Sequence, residues 1–196
     1  MIIIGLGNPG EEYEYTRHNA GRIVTEHIAK NIQADTFKND KILCAHTTKG
    51  ELAEKKCVLI LPNTFMNESG KSVAPLMTSK KELEKLIVMY DDLDLPRNTF
   101  KISFNRSAGG HNGVKSIIQY LKSEAFVRIR IGIAPVSTTG EIKKPKGEEK
   151  VLKWVLGVMN ESERVQLKKM SKSIQEALEM IVQEGVPKAM SVFNEK

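Results

Sequence analysis

The 196-residue sequence has little cysteine and lacks any long apolar run. Cys44 and Cys57 are its only cysteines, and they form neither a C-x-x-C pair nor the spacing of metal ligands, which argues against a disulfide framework. No run of roughly 18 or more apolar residues occurs, and the N-terminus has neither the basic nor the apolar region of a secretory signal. We therefore expect a cytoplasmic protein with one domain over residues 1–196 and no contact with a membrane.

Acidic residues are scarce in one part of the chain. Residues 97–153, called here the basic block, carry 12 Lys and Arg against 4 Asp and Glu. Residues 1–96 carry 12 against 14, and residues 154–196 carry 6 against 6, so the net charge of +6 arises entirely in the basic block. Basic charge concentrated in this way is typical of a protein that binds a polyanion, although a solvated basic face produces the same composition.

The signals of a nucleotide cofactor are incomplete. The stretch "GLGNPG" (5–10) follows the apolar run "MIII" and fits the dinucleotide-binding pattern G-x-G-x-x-G. Glu11, Glu12 and Glu14 follow the turn, however, where the first helical turn would have to face two phosphates. Lys30 stands where an acid would bind the ribose. The residues around the pattern therefore argue against an NAD or FAD enzyme, and we expect the glycines to allow a sharp turn at the end of a strand.

Alternating β-branched runs and helical periodicity predict an α/β fold, with a twisted, mixed but largely parallel sheet that has helices on both faces. Strands are predicted at 2–6, 42–48, 57–61, 86–90, 99–104 and 127–134, and helices at 20–32, 69–77, 112–121 and 161–183. The polar segment 136–150, which contains Gly, Pro and four lysines, is predicted to be a long, exposed basic loop.

Polar side chains collect where the predicted strands end, and two histidines compete for the role of general base. His18 lies in "RHNAG" and His111 in "GGHNG", each at the start of a helix, where the dipole is expected to lower the pKa of an imidazole. The loop with Asn8 and Tyr13 before His18 favours His18 without deciding between them. Asp91 is a carboxylate that can orient the base.

The remaining catalytic motifs are missing. There is no G-x-S-x-G and no activated cysteine, which argues against a covalent mechanism. The acid cluster "YDDLDLP" lacks further carboxylates at later strand ends, so we expect neither a metal nor another cofactor. The residues that are present suit a water molecule activated by a base, with amides binding a carbonyl group and the oxyanion that it becomes.

Taken together, these segments resemble bacterial peptidyl-tRNA hydrolases. The resemblance rests on "GLGNPG" (5–10), "TRHNAG" (16–21), "TFMNESGKSV" (64–73), "YDDLDLP" (90–96), "SAGGHNGVKSII" (107–118) and "RIRIGI" (128–133), which occur in this order. It implies a monomeric enzyme that hydrolyses the ester between an N-blocked peptide and the 3′ ribose of tRNA, and so recycles peptidyl-tRNA released prematurely from ribosomes. It assigns His18 as the base and Asp91 as the residue that orients it.

The resemblance also assigns binding residues. Asn8 corresponds to the asparagine that distinguishes a blocked amine from the free amine of aminoacyl-tRNA, although it could instead only cap its own turn. Arg130 corresponds to a residue that contacts the terminal phosphate of the acceptor stem. Its usual basic companion is replaced by Ser103, with Lys101 or Arg106 as possible substitutes. The residues expected around the 3′-terminal nucleotide and the peptide are Tyr13, Phe65, Asn67 and Asn112.

Three other functions stay open on the sequence. A non-catalytic RNA-binding protein on the same scaffold would not need His18, Asp91, Asn67 and Asn112 together. A metal-dependent phosphohydrolase would lose activity in the presence of a chelator, and a nucleotide enzyme would change the fluorescence of Trp154 on binding its cofactor. Hydrolysis of a peptide ester of tRNA is the interpretation that uses all of the motifs.

Overall fold

The structure, a computed structural model, describes residues 1–77 and 79–195, and within them seven strands form one mixed sheet. The strands are β1 Ile2–Gly5, β2 Lys38–Asp40, β3 Ala45–Leu52, β4 Lys55–Pro62, β5 Leu86–Pro96, β6 Phe100–Phe104 and β7 Val127–Ala134. Their order across the sheet is β2-β3-β4-β1-β5-β7-β6. The four central strands run parallel, and antiparallel strands flank them on both sides. The expected mixed sheet with a parallel core is confirmed.

Helices cover both faces of this sheet, as expected. The α-helices of the described residues are α1 Ala20–Asn31, α2 Lys80–Leu83, α3 Asn112–Leu121, α4 Glu148–Val155, α5 Glu161–Glu184 and α6 Val186–Phe193. One apolar layer lies between the sheet and α1, α5 and α6, and a second lies between the sheet and α3 with the 3-10 helix Met66–Ser72. Within the described part of the chain, every helix is too short or too polar to cross a bilayer.

The strand sequences explain the two apolar layers. Successive side chains of a strand point to opposite faces, so Ile3 contributes to the α1 layer and Ile4 to the α3 layer. All eight residues of β7 are buried, as in a strand covered on both faces. Each large aliphatic side chain that is removed from water in this way contributes about 1.5–3 kcal/mol to folding.

Two glycines let α1 approach the sheet closely. A Cβ atom on Gly21 would lie 2.1 Å from the carbonyl oxygen of Met89 in β5, and one on Gly5 would lie 2.0 Å from Thr25 Oγ1 in α1. The expectation that Gly5 serves a sharp turn is therefore wrong, because it is needed for packing. Gly10 does adopt a left-handed backbone conformation, with φ of 109°. The close contact of α1 with β1 and β5 brings the residues before α1 to the edge of the sheet.

Several element boundaries differ from the prediction. The predicted helix at 69–77 consists of two 3-10 helices, Met66–Ser72 and Ala74–Leu76, with Pro75 in the second. The predicted strand at 42–48 is shifted, because Cys44 has a positive φ and β3 starts after it. The segment 136–150 is mostly exposed, but its last residues belong to α4, which begins at Glu148. Short β2, α2, α4 and α6 were not predicted.

Candidate active site

Three elements meet at the carboxyl edge of the parallel strands. The last residue of β1, Gly5, pairs with Met89, so Asp91 in β5 extends two residues beyond the end of β1. The sequence predicted a strand end before Asp91, whereas β5 continues to Pro96. His18 lies in the short 3-10 helix Arg17–Asn19 directly before α1, and His111 is the N-cap residue of α3. The edge of the sheet thus carries a carboxylate between two imidazoles.

Both imidazoles bind the same carboxylate oxygen. His18 Nδ1 lies 2.9 Å from Asp91 Oδ1, and His111 Nε2 lies 3.0 Å from the same atom. Asp91 is buried, with 3% of its side chain exposed, and the two imidazole rings are 4.9 Å apart. The edge of the Tyr90 ring packs on His111 at 4.8 Å between ring centroids. These contacts hold the three side chains as one unit.

Hydrogen-bond partners distinguish the two histidines. His111 Nδ1 accepts the backbone N–H of Val114 at 3.3 Å, so its proton lies on Nε2, which donates to Asp91. His18 donates to Asp91 from Nδ1, which leaves the lone pair on Nε2. Among the described residues, His18 Nε2 has no hydrogen-bond partner. Of the two imidazoles, only that of His18 therefore presents an unbound basic nitrogen.

The pKa of His18 is shifted in the direction opposite to the one expected from the helix dipole. Burial lowers the pKa of His18, but the charge of Asp91 and its hydrogen bond together raise it by more, so the pKa stands above its ordinary value. Burial alone would raise the pKa of Asp91. The charges and hydrogen bonds of the two imidazoles lower it by more, so the pKa of Asp91 lies well below its usual range. The ionised carboxylate dominates the electrostatics of the site.

A cavity of about 460 Å³ opens beside these residues. Its polar wall includes His18, Asp91 and Asn112, and its apolar wall includes Leu93 and Val151. Residues of α4 form one side, so the end of the predicted basic loop lines the same cavity as His18. The volume lies within the usual range for small-molecule sites, which is about 300–1,000 Å³.

Asn8 is held between two loops. Its side-chain oxygen accepts the backbone N–H of Met66 at 2.8 Å, and its own N–H and C=O bind the side chain of Asn19 at 2.8 and 3.0 Å. The Asn8 side chain therefore joins the loop after β1 to the loop after β4, rather than capping its own turn. It lines a second cavity, of about 340 Å³, together with Glu11 and Glu14.

The other predicted binding residues lie near Asn8 or on the α3 side. Tyr13 and Phe65 form an edge-to-face pair with ring centroids 6.4 Å apart, and Phe65 is 58% exposed. Asn67 is exposed and follows Met66, whose N–H binds Asn8. Asn112, the first residue of α3, is also exposed. Of these four residues, Asn112 lines the cavity beside His18 and Asp91, whereas Tyr13, Phe65 and Asn67 are not part of its lining.

Arg130 is buried in β7, and its Nε donates to Asp92 Oδ2 at 2.7 Å. Lys101 of β6 is directly opposite Arg130 in the sheet register and is exposed, whereas Ser103 is opposite Arg128. Residues directly opposite on neighbouring antiparallel strands have their Cβ atoms about 5 Å apart on the same face. The register thus places Lys101 beside Arg130 on the same face of the sheet.

The same unit contains the ligand atoms that a metal would need. The ligand atoms of His18, Asp91 and His111 all lie within 4.8 Å of one another, and this is the only such group within the described residues. The histidine nitrogens that face Asp91 are engaged in hydrogen bonds to it. A cation placed between them would have to replace both hydrogen bonds.

Two contacts of the candidate site were not predicted. The second imidazole on Asp91, that of His111, comes from a different loop, and the spacing in the sequence carries no signal for it. The pairing of Arg130 with Asp92 could have been anticipated, because Arg130 is opposite Tyr90 in the register and Asp92, two residues further along β5, lies on the same face of the sheet.

The fold and this unit define an α/β protein with a carboxylate and two imidazoles grouped at the edge of its sheet. The sequence profile of the family described as Peptidyl-tRNA hydrolase matches residues 2–196. The peptidyl-tRNA hydrolase of Bacillus cytotoxicus is 40% identical over 196 residues, which cover 98% of each chain, and that of Geobacillus kaustophilus is 40% identical over 197 residues, which cover 99% of each. A crystal structure of peptidyl-tRNA hydrolase from Acinetobacter baumannii superimposes with a TM-score of 0.85 at 32% identity, covering 98% of this chain and 93% of that one. The chain belongs to the peptidyl-tRNA hydrolase family.

Proposed function

We propose that the protein hydrolyses the ester between an N-blocked peptide and the 3′ ribose of tRNA, with His18 as the general base. One observation carries this proposal: His18 Nδ1 donates to the buried carboxylate of Asp91, and its Nε2 is left unbound. An oriented imidazole with a free basic nitrogen is the group that can remove a proton from water. The family of the chain supports the choice of substrate.

The reaction that we propose needs no covalent intermediate. His18 Nε2 takes a proton from water while the water oxygen attacks the ester carbonyl, and the imidazolium then donates that proton to the departing ribose oxygen. Asp91 stabilises the imidazolium as it forms, because its carboxylate is ionised and only 2.9 Å away. The exposed amides of Asn67 and Asn112 are the groups that we assign to the ester carbonyl and its oxyanion.

The first experiment measures release of N-acetyl-amino acid from N-acetyl-aminoacyl-tRNA, with and without a chelator. We expect release by the protein, equal rates in both conditions, and release slower by on the order of 100-fold or more by His18→Ala at the same concentration. Loss of activity in chelator that added metal restores would contradict the metal-independent mechanism and assign an ion to His18, Asp91 and His111. Binding of the substrate without release would contradict the enzyme and favour an RNA-binding protein.

The proposed contacts with tRNA follow the exposed side chains around the site. We assign the 3′-terminal nucleotide and the peptide to exposed Phe65, Asn67 and Asn112 and to half-buried Tyr13, because aromatic rings and amides suit bases and peptide groups. Arg130 and Lys101 would bind the terminal phosphate of the acceptor stem. We propose that the protein acts as a monomer. It would act in the cytoplasm, where ribosomes release the substrate.

Salt should weaken substrate binding through the basic block. Each phosphate contact with duplex nucleic acid adds about −0.9 to the slope of log K against log salt concentration. We expect Arg130→Gln to make this slope shallower by about one unit, as measured by binding of N-acetyl-aminoacyl-tRNA at several salt concentrations. Lys168→Gln and Lys169→Gln, on the exposed face of α5, should change the slope little. Equal changes in both sets would mean that the basic block is only a solvated face.

Asn8 should determine selectivity. In a blocked substrate the nitrogen beside the ester carbonyl is a neutral amide, whereas in aminoacyl-tRNA it is a hydrated ammonium. The amide of Asn8 is fixed by Met66 N–H, and it offers the ammonium no compensating charge. Asn8→Asp keeps that acceptor oxygen but adds a negative charge. We expect it to narrow the ratio of kcat/KM for N-acetyl-aminoacyl-tRNA to kcat/KM for aminoacyl-tRNA.

The bridging hydrogen bond of Asn8 supplies the control for this result. If Asn8 only joins the two loops, Asn8→Asp should lower both kcat/KM values by the same factor and lower the melting temperature. A changed ratio of the two kcat/KM values with an unchanged melting temperature supports a role in selectivity. In that case the hydrogen bond between the two loops is kept, while the preference for the blocked substrate has changed.

A further inference from the structure

Glu163 connects the last long helix to the segment that carries His18. It lies in the first turn of α5, where its Oε2 and the side chain of Asn160 form a reciprocal cap. The same carboxylate accepts two hydrogen bonds from Arg17, Nε to Oε1 at 3.0 Å and Nη2 to Oε2 at 2.9 Å. Arg97 Nη1 adds a third at 3.2 Å. One carboxylate thus caps the start of α5 and binds two arginines.

Arg17 is held on its other sides as well. Its guanidinium lies 4.2 Å from the centroid of the Trp154 ring, and Nη1 donates to the carbonyl oxygen of Trp154 at 3.4 Å. A Cβ atom on Gly157 would lie only 2.7 Å from Arg17 Nη1, so glycine leaves the room that the guanidinium occupies. With 12% of its side chain exposed, Arg17 is enclosed between the end of α4 and the start of α5.

The backbone around Arg17 is bound to the same place. Arg17 N–H donates to the carbonyl oxygen of Gly157 at 3.1 Å, and the N–H of Met159 donates to the carbonyl oxygen of Tyr15 at 2.8 Å. Thr16 and Val158 form an isolated antiparallel bridge between these hydrogen bonds. The next residue along the chain is His18. The junction of α4 and α5 therefore fixes one side of His18, and Asp91 in the sheet fixes the other.

We propose that Glu163 is a positioning residue for hydrolysis, which through Arg17 holds the imidazole of His18 in line with Asp91. This inference rests on the proposed function only in that His18 is the base. Glu163 does not touch the cavity beside Asp91. Its effect passes through the bidentate pair with Arg17 and the peptide bond between Arg17 and His18.

The charge of Glu163 matters as much as its geometry. Burial raises the pKa of Glu163, but the hydrogen bonds from Arg17, Asn160 and Arg97 with the charge of Arg17 lower it by more, so the group is ionised at neutral pH. Glu163→Gln removes this charge, while glutamine still suits the reciprocal cap of α5. Arg17 then loses its charged partner one residue from His18. The unpaired cation and a weaker hold on Asp91 both act to lower the pKa of His18.

The expected result is a fall in kcat with little change in KM. A displacement of about 1 Å by a change remote from the reacting atoms can cost on the order of 100-fold in rate. We expect Glu163→Gln to lower kcat by roughly tenfold to 100-fold on N-acetyl-aminoacyl-tRNA. The pKa of His18, followed by NMR titration of its imidazole without substrate, should fall below that of the unmodified protein.

The titration must be interpreted against every charged group near His18. Asp91 and His111 contact the ring, and Arg17 precedes it. The other titratable or charged residues around the same cavity are Tyr90, Asp92, Asp94, Lys144 and Glu148. Glu163→Gln changes none of these, so a shift of the His18 resonances reports the altered position and charge of Arg17.

Glu161→Gln is the matched control. Glu161 lies in the same turn of α5 and is exposed, and no ion pair of the described residues involves it. It should leave both kcat and the pKa of His18 unchanged. Arg17→Lys is the second variant, because lysine keeps the charge but cannot make two parallel hydrogen bonds, and it leaves the cap of α5 intact. It should lower kcat in the same direction as Glu163→Gln.

Each outcome decides the matter. If Glu163→Gln lowers only the melting temperature, and kcat and the His18 titration stay as in the unmodified protein below that temperature, Glu163 has a purely structural role and the inference is wrong. Wild-type kcat in Arg17→Lys would overturn it as well. If the unmodified protein releases no amino acid but Glu163→Gln still shifts the His18 titration, the proposed function fails while the positioning of His18 stands.

Discussion

Replacing His18 by alanine is expected to lower kcat by on the order of 100-fold or more, the usual contribution of a general base. Its Nε2 is the unbound imidazole nitrogen of the site, while Nδ1 is fixed on Asp91 at 2.9 Å. Alanine removes both the proton acceptor and the group that returns the proton to the ribose oxygen. Single-turnover release of N-acetyl-amino acid from tRNA measures the loss directly, without interference from product release.

His111→Ala is the control for this prediction, because it removes the other imidazole on Asp91. His111 has its Nδ1 engaged with Val114 N–H and its Nε2–H on the carboxylate, so it has no free nitrogen with which to accept a proton from water. Its loss should lower kcat less than the loss of His18. A larger effect of His111→Ala would mean that the base has been assigned to the wrong histidine.

The pH dependence of the rate follows from the direction of the His18 pKa. The base works only when neutral, so activity falls as the pH falls through the pKa of His18. Asp91 raises that pKa above its ordinary value of about 6.5, despite the opposing effect of burial. The acid limb of the pH–rate profile is therefore expected above this value. A substitution of Asp91 should therefore shift this acid limb.

The sequence predicted the central strands and the residues at their ends for a physical reason. Buried parallel strands read as runs of β-branched residues, and the residues that follow such runs meet at one edge of the sheet. That is why His18, Asp91 and Asn112 could be placed around one cavity from local patterns. The short, exposed and polar β2, which carries only Lys38, Asn39 and Asp40, has no such pattern.

Contacts between distant segments could not be predicted in the same way. Arg17 and Glu163 are 146 residues apart, and each looks like an ordinary surface charge in the sequence. The predicted direction of the pKa shift of His18 was also wrong. The prediction considered only the dipole at a helix start and not the carboxylate of Asp91, which lies 2.9 Å from the imidazole. Electrostatics depends on distances that only the folded chain fixes, and a buried charge in contact outweighs the dipole of a short helix.

Replacing Asp91 by asparagine should lower kcat on the order of 100-fold to 10,000-fold, by comparison with the loss of the carboxylate from a catalytic histidine–aspartate pair in serine proteases. The carboxylate accepts from both imidazoles at one oxygen, and an amide at that position is neutral. If the amide nitrogen faces His18, it donates to Nδ1 and moves the imidazole proton to Nε2, the atom that must accept a proton. Either orientation also removes the charge that stabilises the imidazolium in the transition state.

The acid limb distinguishes this role of Asp91 from a general loss of structure. Without the negative charge the pKa of His18 should fall, so the acid limb of kcat/KM should move to lower pH even though the maximum rate drops. Binding of N-acetyl-aminoacyl-tRNA should change little, because Asp91 lies beneath the imidazoles and is 3% exposed. Asp94→Asn is the matched control: its carboxylate lines the same cavity but is half exposed and paired with Lys144, so it should shift the acid limb far less. An Asp91→Asn protein that folds normally and keeps the acid limb of the unmodified protein would show that His18 titrates independently of Asp91, and the pairing would then have no part in catalysis.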